Sequence, residues 1–449
     1  MRMTYKSSIL RIENFYSAHL DNQRDIYVYL PPSYQYEQTK GYPVLYMHDG
    51  QNIFHPAFNG YSWHLDQTID RLIHNRQMEE IIVVGIPNMG LERSNEFTHD
   101  LEGVLYQDDK VPIEPKGHLY EKFIIDEVKS YIDSVFRTKS DSAHTALMGS
   151  SRGGQVTYHI GLRHPDVFSK LGIISPYFYC VDSISLEQIR LYHTFSEKQP
   201  LSQLWIDLGS SEGTLVMEKH VRAVTEELVN LGYEADNQLI YFYDHGAAHV
   251  EKDWAARLAL PLIHFFGNKG EERSLSLNAC EEVGIVGPKS RLNPILEFEN
   301  DFKMSLLRAT YHVEDQEIVE ILADGTIMPK KTGLTSVTVK HQGLEATTTI
   351  HVVSEKQELV TLDLIVHVPP HTPVDMNIYA WFPLRYNPSN GTYYNRLQVP
   401  LDAEFIYQIS RQDGMVEVNS AGEQVKHKYT ALEDAVIEIN VEDWRRNES

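Results

Sequence analysis

The chain has 449 residues, of which 42% are hydrophobic and 23% charged, with two cysteines and a formal net charge of −23 from 40 Lys+Arg against 63 Asp+Glu. That length exceeds what one hydrophobic core usually holds and suggests roughly two to four domains, while the acidic balance repels phosphate backbones and anionic headgroups and argues against nucleic acid as a partner. Cys180 and Cys280 are too few for a disulfide framework or a thiolate metal site, no run approaches the ~18 apolar residues of a membrane span, and Met1 to Glu13 offer no apolar leader core, so the expected setting is cytoplasmic.

From about Asp25 to Gly267 short apolar runs alternate with longer helical patterns. The runs Ile26–Leu30, Val44–Met47, Ile81–Val84, Thr145–Met148, Leu171–Ile174, Leu204–Ile206 and Leu239–Phe242 read as strands. Between them, Trp63–Asn75, His118–Ser134, Gly153–His164, Val216–Leu231 and Trp254–Phe266 carry apolar residues at three- and four-residue spacing and read as helices. This order predicts a mainly parallel sheet with helices on both faces.

The pattern changes at the charged run Asn268–Arg273, which reads as a linker. Beyond it the helical period fades and short strands with turn signals take over, including Asp324-Gly325, Lys331-Thr332-Gly333 and Gln342-Gly343. A second β segment runs from about Leu359 to Trp444, with a turn at Ser389-Asn390-Gly391. The expected domains are therefore residues 1–272, α/β, followed by two small all-β sandwiches over 273–354 and 355–449.

The strongest chemical signal is Gly149-Ser150-Ser151-Arg152-Gly153-Gly154 between a predicted strand and a predicted helix. A G-x-S-x-G sequence in that setting is a nucleophile elbow: small neighbours allow a strained turn that exposes the serine above the sheet, at a helix N-terminus. The bare motif also arises by chance, and its strand–helix setting is what favours the functional reading.

A serine hydroxyl needs a base, and in this fold the order is serine, acid, histidine. His249 follows the strand Leu239–Phe242 and precedes the last helix. Its competitor, His245, could join it and Asp244 as metal ligands on a helical face, but Gly246 argues against a helix there. For the acid, Asp207 lies inside a strand and Glu212 in the loop beyond it. Catalytic groups in such sheets sit beyond strand ends, which favours Glu212 and leaves Asp207 as a buried carboxylate needing its own donors. Two N–H groups must meet the developing oxyanion; those of Arg152 and Gln51 are the candidates, with Gly50 providing the sharp turn after Val44–Met47.

Together, His48-Asp49-Gly50-Gln51-Asn52-Ile53-Phe54, Trp63, Arg93 with Glu96, Gly149–Gly154, Gly209-Ser210-Ser211-Glu212 and His249 with Trp254 give residues from about Tyr16 to Gly267 a resemblance to an esterase family of α/β hydrolases. That family includes esterase D, feruloyl esterases, siderophore esterases and mycolyltransferases. The resemblance implies Ser151 as nucleophile, Glu212 as acid, His249 as base, and the Gln51 and Arg152 amides as oxyanion hole, with no metal and no cofactor. Arg152 departs from the family, which often has a hydrophobic residue there; its side chain is expected to meet a carboxylate or an anionic substrate. Trp63, Arg93 and Trp254 are candidate substrate contacts, with mutual pairing of Arg93 and Glu96 the simpler alternative.

Downstream, Val319–Ile327 with Gly333–Val339 resembles bacterial immunoglobulin-like modules, and Val366–Pro369, Ile378–Trp381 and Phe405–Arg411 are similar to starch-binding-type sandwiches. The expected function is hydrolysis of a small ester through an acyl-enzyme. The rivals are acyl transfer at the same site and a carbohydrate-binding protein with a degenerate hydrolase domain. A sugar surface would draw on Tyr379, Trp381, Tyr386, Tyr393 and Tyr394, although aromatics in sandwiches are more often core.

Overall fold

The computed structural model describes residues 6–446 apart from 57–59, 103, 105–112, 182–187, 213–214, 279–281, 288–289, 357–358, 374–375, 381–382 and 402. All seven strands expected in the first half form, and they lie in one 11-stranded sheet. From one edge its order is Ser8–Ser17, Asn22–Leu30, Ile82–Ile86, Val44–His48, Thr145–Ser150, Lys170–Ile174, Gln203–Gly209, Leu239–Asp244, Lys303–Ser305, Asn293–Phe298 and Glu272–Asn278. The strands from Ile82–Ile86 to Leu239–Asp244 are parallel, and both flanks are antiparallel.

Alternate residues of each strand point to opposite faces, so the apolar runs supply two cores at once. Val44, Tyr46, Leu147 and Ile206 pack beneath the helices Gly117–Lys122, Arg152–Arg163 and Leu215–Asn230. Leu45, Met47, Met148 and Trp205 pack on the other face against Leu65–His74, Glu251–Arg257 and Ala259–Phe266. The predicted layering is present.

One boundary differs from expectation. Glu272–Asn278, Asn293–Phe298 and Lys303–Ser305, assigned from sequence to the second domain, continue the large sheet. They bring Ile295, Leu296, Phe302, Met304 and Leu306 into the second of its two cores. The charged run bends at 268–271 and passes directly into the strand at Glu272, and charge alone does not distinguish such a bend from a linker. The strand Ser8–Ser17, whose residues are mostly solvent-facing, also escaped the apolar pattern.

The remainder is all-β. A four-stranded sheet of Glu282–Val286, Leu344–Glu355, Gly333–His341 and Thr310–Val313 encloses a small core around Val319, Val337, Ile350 and Val352. After it, an eight-stranded sheet that includes Leu359–His367 and Thr392–Pro400 buries Leu364, Val366, Ile378, Tyr393 and Trp444.

Candidate active site

The strand Thr145–Ser150 enters Ser151, whose φ of 58° and ψ of −123° are unfavourable for any residue with a Cβ, and leaves it directly into the helix Arg152–Arg163. Strain of this kind persists only where neighbours fix it. Ser151 N–H donates to the Ile174 carbonyl at 3.0 Å, and the Ser151 carbonyl accepts from Tyr177 N–H at 3.0 Å and Gln155 N–H at 3.1 Å. Gly149 must lack a side chain, because a Cβ there would stand 2.8 Å from His48 Cδ2 and 2.9 Å from the Gly153 carbonyl.

The expected acid and base are joined. His249 Nδ1 and Glu212 Oε2 lie 2.9 Å apart, which leaves Nε2 as the ring nitrogen available to a serine. The loops that carry them are tied together: Ser210 N–H donates to the Asp244 carbonyl, Ser211 N–H to the Ala247 carbonyl, and Gly246 N–H to Ser210 Oγ. Among the described residues no hydrogen bond joins Ser151 Oγ to His249; that bond is often long before substrate arrives. His245 is exposed on the same loop, and no cluster of three metal-ligating side chains occurs among the described residues.

Glu212 Oε1 faces away from the histidine and accepts from Gly209 N–H at 2.7 Å, Ser175 Oγ at 2.6 Å and Arg257 Nη2 at 2.9 Å. Burial alone would raise this carboxyl; the hydrogen bond and charge of His249, with Arg257 and Ser175, bring it below its ordinary value. Asp207 has the donors its position demanded: Trp205 Nε1 at 2.7 Å, Arg257 Nε at 3.1 Å and Ser175 N–H at 3.3 Å. It does not touch His249. Neither Ser175 nor Arg257 was singled out from sequence, although the helical spacing of Trp254 and Arg257 places both on the face that meets the site.

The loop after Val44–His48 turns differently from expectation. The left-handed residue is Asp49, with φ of 56°, and not Gly50. Gly50 is needed for close approach: a Cβ would lie 2.4 Å from the Gly85 carbonyl carbon and the Ile86 nitrogen. Gln51 follows, its side-chain oxygen accepting from Asn88 N–H at 3.0 Å. Arg152 opens the helix, where backbone amides have no intrahelical acceptor. Its guanidinium lies 4.6 Å from the Tyr177 ring centre and donates to Thr98 Oγ1 at 3.3 Å.

Arg93 and Glu96 do not pair with each other. Arg93 grips Asp49 with two bonds, of 2.7 and 2.8 Å, while Glu96 holds Arg24 with bonds of 2.6 and 2.8 Å in a pocket sealed from water. The distant partner Arg24 carries no sequence pattern linking it to Glu96. Burial raises and Arg93 more than offsets the Asp49 carboxyl, leaving it below its ordinary value. Trp63 and Trp254 are buried, their ring centres 5.5 Å apart. Trp254 packs edge-on against His249 at 4.9 Å and donates to Ser175 Oγ at 3.0 Å, so the two tryptophans form the wall behind the histidine and not an open substrate surface.

Against this geometry, the family model described as Putative esterase matches residues 17–265. The chain belongs to that family and is an esterase-type hydrolase. Among curated relatives, the uncharacterized protein YbbA of Bacillus subtilis (strain 168) is 23% identical over 257 residues, covering 56% of this chain and 96% of its own. An endo-1,4-beta-xylanase/feruloyl esterase of Xylanibacter ruminicola is 27% identical over 248 residues, 54% of this chain and 29% of that one. A ferulic acid esterase from Anaeromyces mucronatus is similar in structure, with 22% identity and a TM-score of 0.43 over 59% of this chain and 92% of that chain.

In the C-terminal β region, Tyr379 and Tyr393 are buried core residues, Tyr386 and Tyr394 are exposed to 39% and 40%, and Trp381 lies outside the described residues. Cys280 also lies outside them.

Proposed function

We propose that this hydrolase cleaves a small carboxylic ester by nucleophilic catalysis at Ser151. His249 removes the serine proton through Nε2 as the hydroxyl attacks the ester carbonyl. The Gln51 and Arg152 amides receive the oxyanion, and the protonated histidine then delivers its proton to the departing alcohol. Water, deprotonated by the same ring, cleaves the acyl-enzyme and restores Ser151. Glu212 keeps Nδ1 protonated and stabilises the imidazolium. The observation that carries this reading is the 2.9 Å contact between Glu212 and His249 on a loop knitted to the acid's own. Steady-state hydrolysis of short-chain p-nitrophenyl esters tests it: His249→Ala is expected to lose turnover by about 10³-fold or more with its fold retained, and turnover equal to wild type would overturn it.

Acyl transfer is the second outcome of the same chemistry, with an alcohol replacing water. Product analysis with sugar or polyol acceptors separates the two.

Carbohydrate binding has its own observation. A groove of about 480 Å³ in the last β region is lined by Asp363, Ile365, Asn387, Asn390, Tyr394 and Arg396, among others. An exposed tyrosine ring beside amides, with the Arg396 fork held by Asp363 at 2.6 and 2.8 Å, is chemistry that suits a sugar. Tyr394→Ala should weaken retention on insoluble polysaccharide, and unchanged retention would remove this groove from consideration.

A further inference from the structure

We propose that Arg257 and Asp207 are positioning residues for the esterase chemistry: together they clamp Glu212 from behind and set the charge against which His249 takes up a proton. The inference rests on the catalytic reading of Ser151, Glu212 and His249 and goes beyond it.

The geometry divides the work between the two oxygens of Glu212. Among the described residues Oε2 bonds His249 alone, whereas Oε1 takes Gly209 N–H, Ser175 Oγ and Arg257 Nη2. The same guanidinium nitrogen bonds Ser175 Oγ at 2.7 Å, and Nε bonds Asp207 at 3.1 Å, so one planar group locks acid, serine and second carboxylate together. Arg257, Asp207 and Glu212 have side chains exposed to only 2%, 0% and 1%. Buried charges at such separations feel one another strongly.

Charge accounting explains why both members are present. Arg257 alone would neutralise Glu212 and leave little negative charge to favour an imidazolium. Asp207 restores it, so the buried set of two carboxylates and one guanidinium carries one net negative charge, which the proton on His249 cancels. Burial raises the Asp207 carboxyl above its ordinary value, and Arg257 with the Trp205 Nε1 donor opposes that rise; the group receives three donors and offers a proton to no acceptor, the arrangement of a carboxylate. Among the described residues, the other charged groups around this set are Asp244, 3.8 Å from Arg257 Nη1, Asp253, which holds Ala248 N–H at 2.7 Å, Glu251 at the head of the same helix, Glu218 beside Tyr243, and Lys303, which is paired with Glu297 and whose charge reaches Asp244. All remain in place in the variants below.

The test compares Arg257→Met, Arg257→Lys, Asp207→Asn and the double variant Asp207→Asn/Arg257→Met in the full chain. Two readouts are taken: the pH dependence of kcat/KM, and the titration of the His249 ring followed by NMR in protein carrying labelled histidine. Removing the guanidinium should move the acid limb and the ring titration upward by about one pH unit. Asp207→Asn should move both downward, and the double variant, which keeps one net negative charge, should return them near wild type. Its kcat should nevertheless stay roughly tenfold or more below wild type, because Glu212 has lost its clamp. Arg257→Lys should keep the wild-type limb with an intermediate kcat.

Coincident titrations in wild type, Asp207→Asn and the double variant would overturn the charge role, and a wild-type kcat in the double variant would overturn the clamp. If Arg257→Met fails to fold, the Asp207→Asn shift and the double variant decide, and Asp207→Asn decides alone if neither arginine variant folds. Variants whose His249 titrations shift as described, beside a wild-type chain that turns over no ester, would instead sink the esterase reading and leave standing only the charge coupling of Arg257 and Asp207 to His249.

Discussion

Asn293 donates its side-chain amide to the carbonyl of Tyr243 at 3.0 Å, and Ser305 Oγ receives the Tyr243 N–H at 2.9 Å. Both donor and acceptor of the residue that ends the apolar part of the last parallel strand are thus held by the segment after residue 272. The strand Leu239–Asp244 leads straight into the loop bearing His249, so the antiparallel extension supports the candidate base from the side.

A chain ended after residue 272 should therefore fail. It would expose the edge of Leu239–Asp244 and uncover the apolar surface now packed by Ile295, Leu296, Phe302, Met304 and Leu306. Expression of residues 1–272 is expected to give aggregated or inactive protein, while residues 1–356, which keep both the extension and the partners of Glu282–Val286, should be soluble. Soluble, fully active 1–272 would place the working boundary where the sequence alone put it.

The pair Asp49–Arg93 predicts a loss in turnover and not in substrate affinity. Arg93→Met leaves a largely buried carboxylate without its charged partner, which costs about 3 kcal/mol of stability. It also loosens the loop that presents the Gln51 amide. kcat for a p-nitrophenyl ester should fall about tenfold with KM little changed; a rise in KM with kcat intact would make Arg93 a substrate contact after all.

Glu212→Gln should be far more damaging than Asp207→Asn. An amide at 212 no longer stabilises the imidazolium or fixes its tautomer, and a loss of kcat by about 10³-fold is expected. Comparable losses in the two variants would put the acid in doubt.

How much of this was legible in the sequence follows from what makes each feature. The parallel strands and the elbow are local: apolar runs with small residues at fixed offsets, readable without partners. Ser151, Glu212 and His249 could be singled out as candidates because a strand end, a turn and a helix start are themselves local signals. What was missed depends on contacts across the chain. Arg257 meets Asp207 only after a helix docks, Arg24 meets Glu96 across 72 residues, and Arg93 chooses Asp49 over its nearer neighbour Glu96. The three strands beyond 272 read as a separate sandwich because β pattern says nothing about which sheet a strand joins.

Acid should destabilise the fold through buried neutral histidines. Burial pushes His48 and His264 down to about 3 and His159 well below its ordinary value. The unfolded chain binds protons on these rings below about pH 6.5 while the folded chain does not, so stability is present above that value and is lost as pH falls through it. Each ring contributes about 1.4 kcal/mol per pH unit until its folded value is reached. Denaturant unfolding at successive pH values should show this steepening; stability that is flat from neutral pH down to about pH 5 would contradict it.

The central claim is that Ser151 is the nucleophile of a working esterase. A fluorophosphonate probe followed by peptide mass spectrometry tests it most directly, read beside ester hydrolysis by wild type and Ser151→Ala. The expected result is one label, on Ser151, with turnover abolished by the substitution and the melting transition retained. Ester turnover that survives Ser151→Ala, or a label elsewhere, would contradict it.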